Sequence, residues 1–129
     1  MAKTGDHFIT QLQTAHLEWG SHRHTNTRGI VYGEGYLQIP SKIAYKLTIT
    51  NSSFIKQSAE YDFSTADGYI KNGKLLASGN QYNSDYAKQF QGLGNLKLLG
   101  DWFNIIYARS GDKIKIDFIS PLEILLTKL

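Results

Sequence analysis

Two polar stretches of this 129-residue chain carry the side chains most able to do chemistry. SHRHTNTRG supplies His22, Arg23, His24, Thr25, Asn26, Thr27 and Arg28, and NQYNSDYAKQFQ supplies Gln81, Tyr82, Asn83, Ser84, Lys88, Gln89 and Gln91. These types suit the reading of a duplex: Arg forks onto guanine O6 and N7, Asn or Gln pairs with adenine, and Lys, Ser, Thr and Tyr reach phosphates. Asn, Ser, Gln and Gly also dominate ordinary surface loops, so composition alone leaves both readings open. The formal net charge is only +3, but its distribution is uneven. No acid occurs in residues 21–33, and between residues 75 and 102 only Asp85 and Asp101 stand against Lys88 and Lys97. A locally positive loop is a plausible contact for phosphates or base edges.

Catalysis finds no anchor. None of Glu18, Glu34, Glu60 and Glu123 is followed two residues later by lysine, as the Glu-x-Lys pair of a metal-dependent nuclease would be. No histidine has lysine at the His-x-Lys spacing, and no G-x-S-x-G elbow exposes a serine. His22 and His24, with His7 and His16 upstream, raise the question of zinc. Without cysteine, and with Arg23 between the pair, they read instead as hydrogen-bonding groups, and no metal or cofactor is expected. The G-x-G pairs at Gly33 and Gly35 and at Gly92 and Gly94 are too short to claim a nucleotide loop.

The elements that must hold these stretches are mostly strands. The length suits one domain, residues 1–129, and 41% hydrophobic with 12% aromatic content predicts a packed core. HFITQLQ alternates as a half-buried strand, and GYLQIP sets Tyr36 and Gln38 on one face and Leu37 and Ile39 on the other. Pro40 suits the start of a short helix, SKIAYKL, with Ile43 and Leu47 as its buried stripe. FIKQSAEYDFS and GYIKNGKLLAS are strand-like, and Asn72-Gly73 favours a tight hairpin turn. NLKLLGDWFNIIYA suggests a short helix and then a strand, GDKIKIDFIS points Ile114, Ile116 and Phe118 inward, and LEILLTKL closes with a last strand. About seven strands with one or two short helices predict a small barrel or sandwich. Trp19, Trp102, Phe103 and Phe118 are expected in the core, and Tyr82 and Tyr86 on the surface. MAKTGDHFITQLQ lacks the apolar stretch of a signal peptide, and no segment approaches the ~20 apolar residues of a membrane helix. With no cysteine, the expectation is a soluble, cytoplasmic chain without a membrane partner.

The order of G-Y-L-Q-I-P-S-K-I-A, then G-N-Q-Y-N-S-D-Y-A-K-Q-F, then G-D-K-I-K-I-D-F resembles the B3-like DNA-binding pseudobarrel family. That family includes plant transcription-factor domains and the target-recognition domains of some restriction endonucleases. Residues 35–44 match its strand, Ile-Pro and short helix, and residues 111–118 its Gly-Asp strand start. The combination with A-K-Q-F-Q-G-L-G-N-L-K and S-P-L-E-I-L-L-T-K-L is similar to the restriction-endonuclease branch. The resemblance implies an open seven-stranded pseudobarrel whose two arms, residues 21–36 and 80–91, grip the major groove of double-stranded DNA. Arg23, Arg28 and the neighbourhood of Asn83 would read bases, and Lys42, Tyr82, Ser84 and Lys88 would hold phosphates. Tyr32 and Tyr36 would belong to the first arm, and Glu34 would accept from cytosine N4 or orient Arg28. Cleavage in that family belongs to a separate domain, so any nuclease would be a further domain or partner. The alternative is a small barrel that binds single-stranded nucleic acid or another ligand without sequence specificity, where exposed tyrosines would dominate.

Overall fold

A computed structural model describes residues 1–18, 33–54 and 56–129, the side chain of Asn83 excepted. Seven strands form one mixed sheet: β1 (His7–Gln11), β2 (Leu37–Gln38), β3 (Glu60–Thr65), β4 (Gly73–Ser78), β5 (Gln89–Gly92), β6 (Lys113–Ser120) and β7 (Glu123–Lys128). Their order across the sheet is β1-β6-β7-β3-β4-β5-β2. Every pairing is antiparallel except β3 with β7. The end strands β1 and β2 approach each other without a hydrogen-bonded ladder, so the barrel is nearly closed with one unsealed seam. Three short α-helices lie among the described residues: α1 (Thr14–Leu17), α2 (Ser41–Leu47) and α3 (Leu98–Ile105). The expected seven-stranded open barrel is present, with one helix more than the sequence suggested. Among the described residues no helix is long and apolar enough to cross a membrane.

Alternation decides which side chains enter the barrel. Ile114, Ile116 and Phe118 of β6 are buried, as their spacing requires, and they meet Phe8 of β1 and Ile124 and Leu126 of β7. Leu37, Ile39, Leu75, Ala77 and Phe90 complete the interior from the other strands, all fully shielded. Each large side chain removed from water contributes about 1.5–3 kcal/mol before its ordering entropy is subtracted. Trp102, Phe103 and Phe118 are core, as their size and type predict, whereas Trp19 lies outside the described residues.

Three local expectations need correction. The buried positions of α2 are Ala44 and Leu47, and Ile43 is only half-buried against the core. Asn72-Gly73 is not the hairpin turn. Gly73 already belongs to β4, opposite Phe63, and a Cβ there would collide with the Phe63 ring, so glycine serves close packing rather than a turn. The chain reverses before it, where the Asp67 carboxylate accepts from Thr65 Oγ1 at 2.6 Å, the Tyr69 amide at 2.9 Å and Trp102 Nε1 at 2.8 Å. The Thr65 hydroxyl, with the indole and amide donors, holds the Asp67 carboxyl below its usual pKa. Finally, the NLKLLGDWFNIIYA run ends without the expected strand after α3. The helix ends in a turn with Tyr107 at φ 53°, and the Ala108 amide returns to the Phe103 carbonyl at 2.9 Å.

Candidate nucleic-acid interface

The described residues on either side of residues 19–32 are tied to each other. His16 lies in α1 on one side; on the other the Tyr36 amide donates to the His16 carbonyl at 3.1 Å, and the two rings pack with centroids 4.8 Å apart. His16 is 3% exposed, and its Nδ1 accepts from the Gln13 amide at 3.2 Å. Burial lowers the His16 pKa, against the opposing effect of its bond to the Gln11 backbone, so the neutral ring is the favoured form. Burial likewise raises the pKa of the Tyr36 phenol. The residue 33–36 side is also held against α3. The Gly35 amide donates to the Leu96 carbonyl at 3.3 Å, and a Cβ on Gly100 would strike the Gly33 backbone. Gly33 at φ 87° and Gly100 thus meet backbone to backbone, and the Lys97 side chain lies beside them.

The second polar stretch forms a closely bonded loop. Gln81, Tyr82 and Asn83 make a single 3-10 turn. The Ser84 hydroxyl donates to the Gln81 carbonyl at 2.5 Å and accepts from the Tyr86 amide at 3.2 Å. Asn80 Nδ2 bonds the Ser84 carbonyl at 2.8 Å, and the Gln81 amide bonds the Tyr86 carbonyl at 2.8 Å. Asn51, buried at 3%, ties the loop down from a distant segment: its Nδ2 donates to the Gly79 carbonyl at 2.8 Å, and its own amide to the Asp85 carbonyl at 2.8 Å. The loop therefore presents its outward side chains from a fixed frame. Foremost is Tyr82, 81% exposed with a left-handed backbone at φ 49°.

Between this loop and the Tyr36 strand lies an open concavity of about 210 Å³, lined by Tyr36, Gln38, Gln81, Lys88 and Gln89. Among the described residues its lining carries one cation and no carboxylate. Lys88 is placed by both neighbouring segments: its amide donates to the Ser78 carbonyl at 2.8 Å, and its carbonyl accepts from the Ile39 amide at 2.8 Å. Its side chain packs over Gly79, where a Cβ would come within 3.0 Å of the Lys88 Cβ. An anionic, hydrogen-bonding surface fits such a wall better than an apolar ligand does.

The structure brings together Tyr36, Gln81, Lys88 and Gln89, with Tyr82 on the adjoining loop. It also reassigns several candidates. Gln81 is 9% exposed, and its Nε2 is committed to the Ile39 carbonyl at 2.8 Å, so it braces the loop against β2 instead of reading a base. Ser84 donates its hydroxyl proton to the Gln81 carbonyl and so fastens the loop. Glu34 is 5% exposed. Gln91 Oε1 accepts from Ser78 Oγ at 2.6 Å and from Gln89 Nε2 at 3.1 Å. Lys42 is exposed on α2 and does not line the concavity. Tyr86 is half-buried and packs on Tyr45, with centroids 4.3 Å apart. His22, Arg23, His24, Thr25, Asn26, Thr27, Arg28 and Tyr32 lie outside the described residues, as does the side chain of Asn83. Among the described residues no cluster of three or more His, Cys, Asp or Glu could hold a metal ion.

Sequence reasoning passed over Gln38, although the alternation of GYLQIP already set it on the outer face with Tyr36. It also passed over Asn51, for which no local signal exists, because its partner Gly79 is 28 residues away. No family model matches the chain, and no curated protein matches it as a relative.

Proposed function

We propose that this chain binds double-stranded DNA sequence-specifically, with residues 21–36 and 80–91 acting as two arms in the major groove. The observation that carries the reading is the concavity between them: it is polar, free of carboxylates among the described residues, lined by Lys88, and bordered by a closely bonded loop that projects Tyr82. In this reading Arg23 and Arg28 contact base edges and Lys88 contacts phosphate. The open-barrel fold agrees with the motif order that resembles restriction-endonuclease recognition domains, and the proposed setting is a restriction-modification type system, with any cleavage performed by a separate domain or partner. Binding of single strands by Tyr36 and Tyr82 is the competing reading, favoured by the exposure of Tyr82.

Selection from a randomised duplex library at near-physiological salt, without added metal, tests the proposal, with each recovered sequence retested as a single strand. One enriched duplex motif is expected. Arg23→Ala or Arg28→Ala then costs ~1–3 kcal/mol on that motif and relaxes its sequence choice, whereas Lys88→Ala weakens all sequences alike and makes binding less sensitive to salt. Absence of any enriched duplex, or equal binding of the single strands, overturns the reading.

A further inference from the structure

The outer face of the barrel carries a row of polar side chains across three neighbouring strands. Gln38 of β2 stands opposite Gln89 of β5, and Gln89 stands opposite Ser78 of β4. Gln91, two residues along β5, shares the face of Gln89. Three members of this group are bonded to one another: Ser78 Oγ and Gln89 Nε2 both donate to Gln91 Oε1. Those bonds fix the Gln89 amide by its nitrogen and leave its carbonyl oxygen without a partner among the described residues. Gln38 differs from its neighbours. It is exposed, it lines the concavity, and neither its carbonyl nor its NH₂ is bonded to any described residue. A free amide presents one donor and one acceptor side by side, the pattern that pairs with adenine N7 and N6 in the major groove. A strand fixes where its Cα stands more firmly than a loop does, which suits a group that must meet one base edge.

We infer that Gln38 is a specificity-determining residue, reading an adenine edge from the barrel surface between the two arms, with the Ser78–Gln91–Gln89 chain as the fixed floor beside it. The inference rests on the duplex-reading function proposed above and adds a contact that belongs to neither arm. The Gln38 side chain makes no bond to any described residue and is already exposed, so its replacement is expected to leave the barrel intact, which near-UV circular dichroism checks.

The test repeats the duplex selection with the parent, Gln38→Ala and Gln38→Glu, and measures affinities for the parent motif and for each single-base variant of it. The parent motif is expected to contain one A·T pair at which Gln38→Ala discriminates roughly tenfold less, with preferences at the other positions retained. Gln38→Glu, which can only accept, is expected to move the preferred base there to cytosine. A residue that merely shapes the surface would not exchange one base preference for another. A parent that selects a motif which both variants select unchanged overturns the inference and leaves the duplex-reading function standing. A parent that selects no motif at all overturns both.

Discussion

At the scale of single residues, Tyr82 sets stability against binding. Its left-handed backbone at φ 49° costs a non-glycine residue about 1 kcal/mol, and its 81% exposed ring recovers little of that by packing. Because Asn51, Ser84 and Asn80 hold the loop, the ring stays where it is despite the strain. Tyr82→Gly is therefore expected to leave thermal stability equal or slightly higher while weakening duplex binding. Melting followed by circular dichroism, alongside a binding titration, checks both halves, and unchanged affinity would reduce Tyr82 to an ordinary loop side chain. Residue type made Tyr82 legible as a surface aromatic and Trp102 as core, because large apolar groups have few alternatives. Gln81 and Ser84 could not be read that way. Their roles depend on the Ile39 carbonyl and on the curl of their own loop, partners that composition does not name.

At the scale of elements, the end of α3 shows a position where the residue and the geometry disagree. The Ala108 amide bonds the Phe103 carbonyl at 2.9 Å and the Tyr107 amide bonds the Asn104 carbonyl at 3.2 Å, a pairing that closes a helix through one left-handed residue. Glycine is the usual occupant of that position, yet Tyr107 fills it at φ 53° with 83% exposure. Tyr107→Gly should accordingly stabilise the protein by about 1 kcal/mol, raising the melting temperature by ~4 °C, without affecting duplex binding. A fall in melting temperature would mean that the exposed ring contributes more than the strain costs. Elements with strict periodicity, such as β6 with its alternating isoleucines, were readable directly. The Asn-Gly pair misled because close packing of Gly73 on Phe63 and turn formation both favour glycine, and only the tertiary neighbour separates them. The apolar run after α3 misled similarly, since Ile105 and Ile106 have strand propensity but the helix cap redirects the chain.

At the scale of the whole molecule, the barrel is complete except at its seam, and His16 ties the stem of the residue 19–32 segment to the end of β1. The strand content predicted a barrel or sandwich, and the motif order narrowed that to an open barrel, but which strands flank the seam depends on pairings as remote as β3 with β7. The His16 anchor has a pH signature. Burial holds its folded pKa below the 6.5 of an unhindered imidazole, so below 6.5 the unfolded chain takes up the proton more readily than the native one does. Protons bound preferentially by the unfolded state make stability rise with pH, so the His16 contribution is present above 6.5 and is lost on acidification below it. Urea unfolding at pH 7.5 and 5.5 is expected to show a larger loss for the parent than for His16→Gln, whose side chain does not titrate. The comparison uses the difference between the two pH values, so a constant cost of the substitution drops out. Parallel losses in parent and variant would show that the imidazole is not the group that couples the stem to protons.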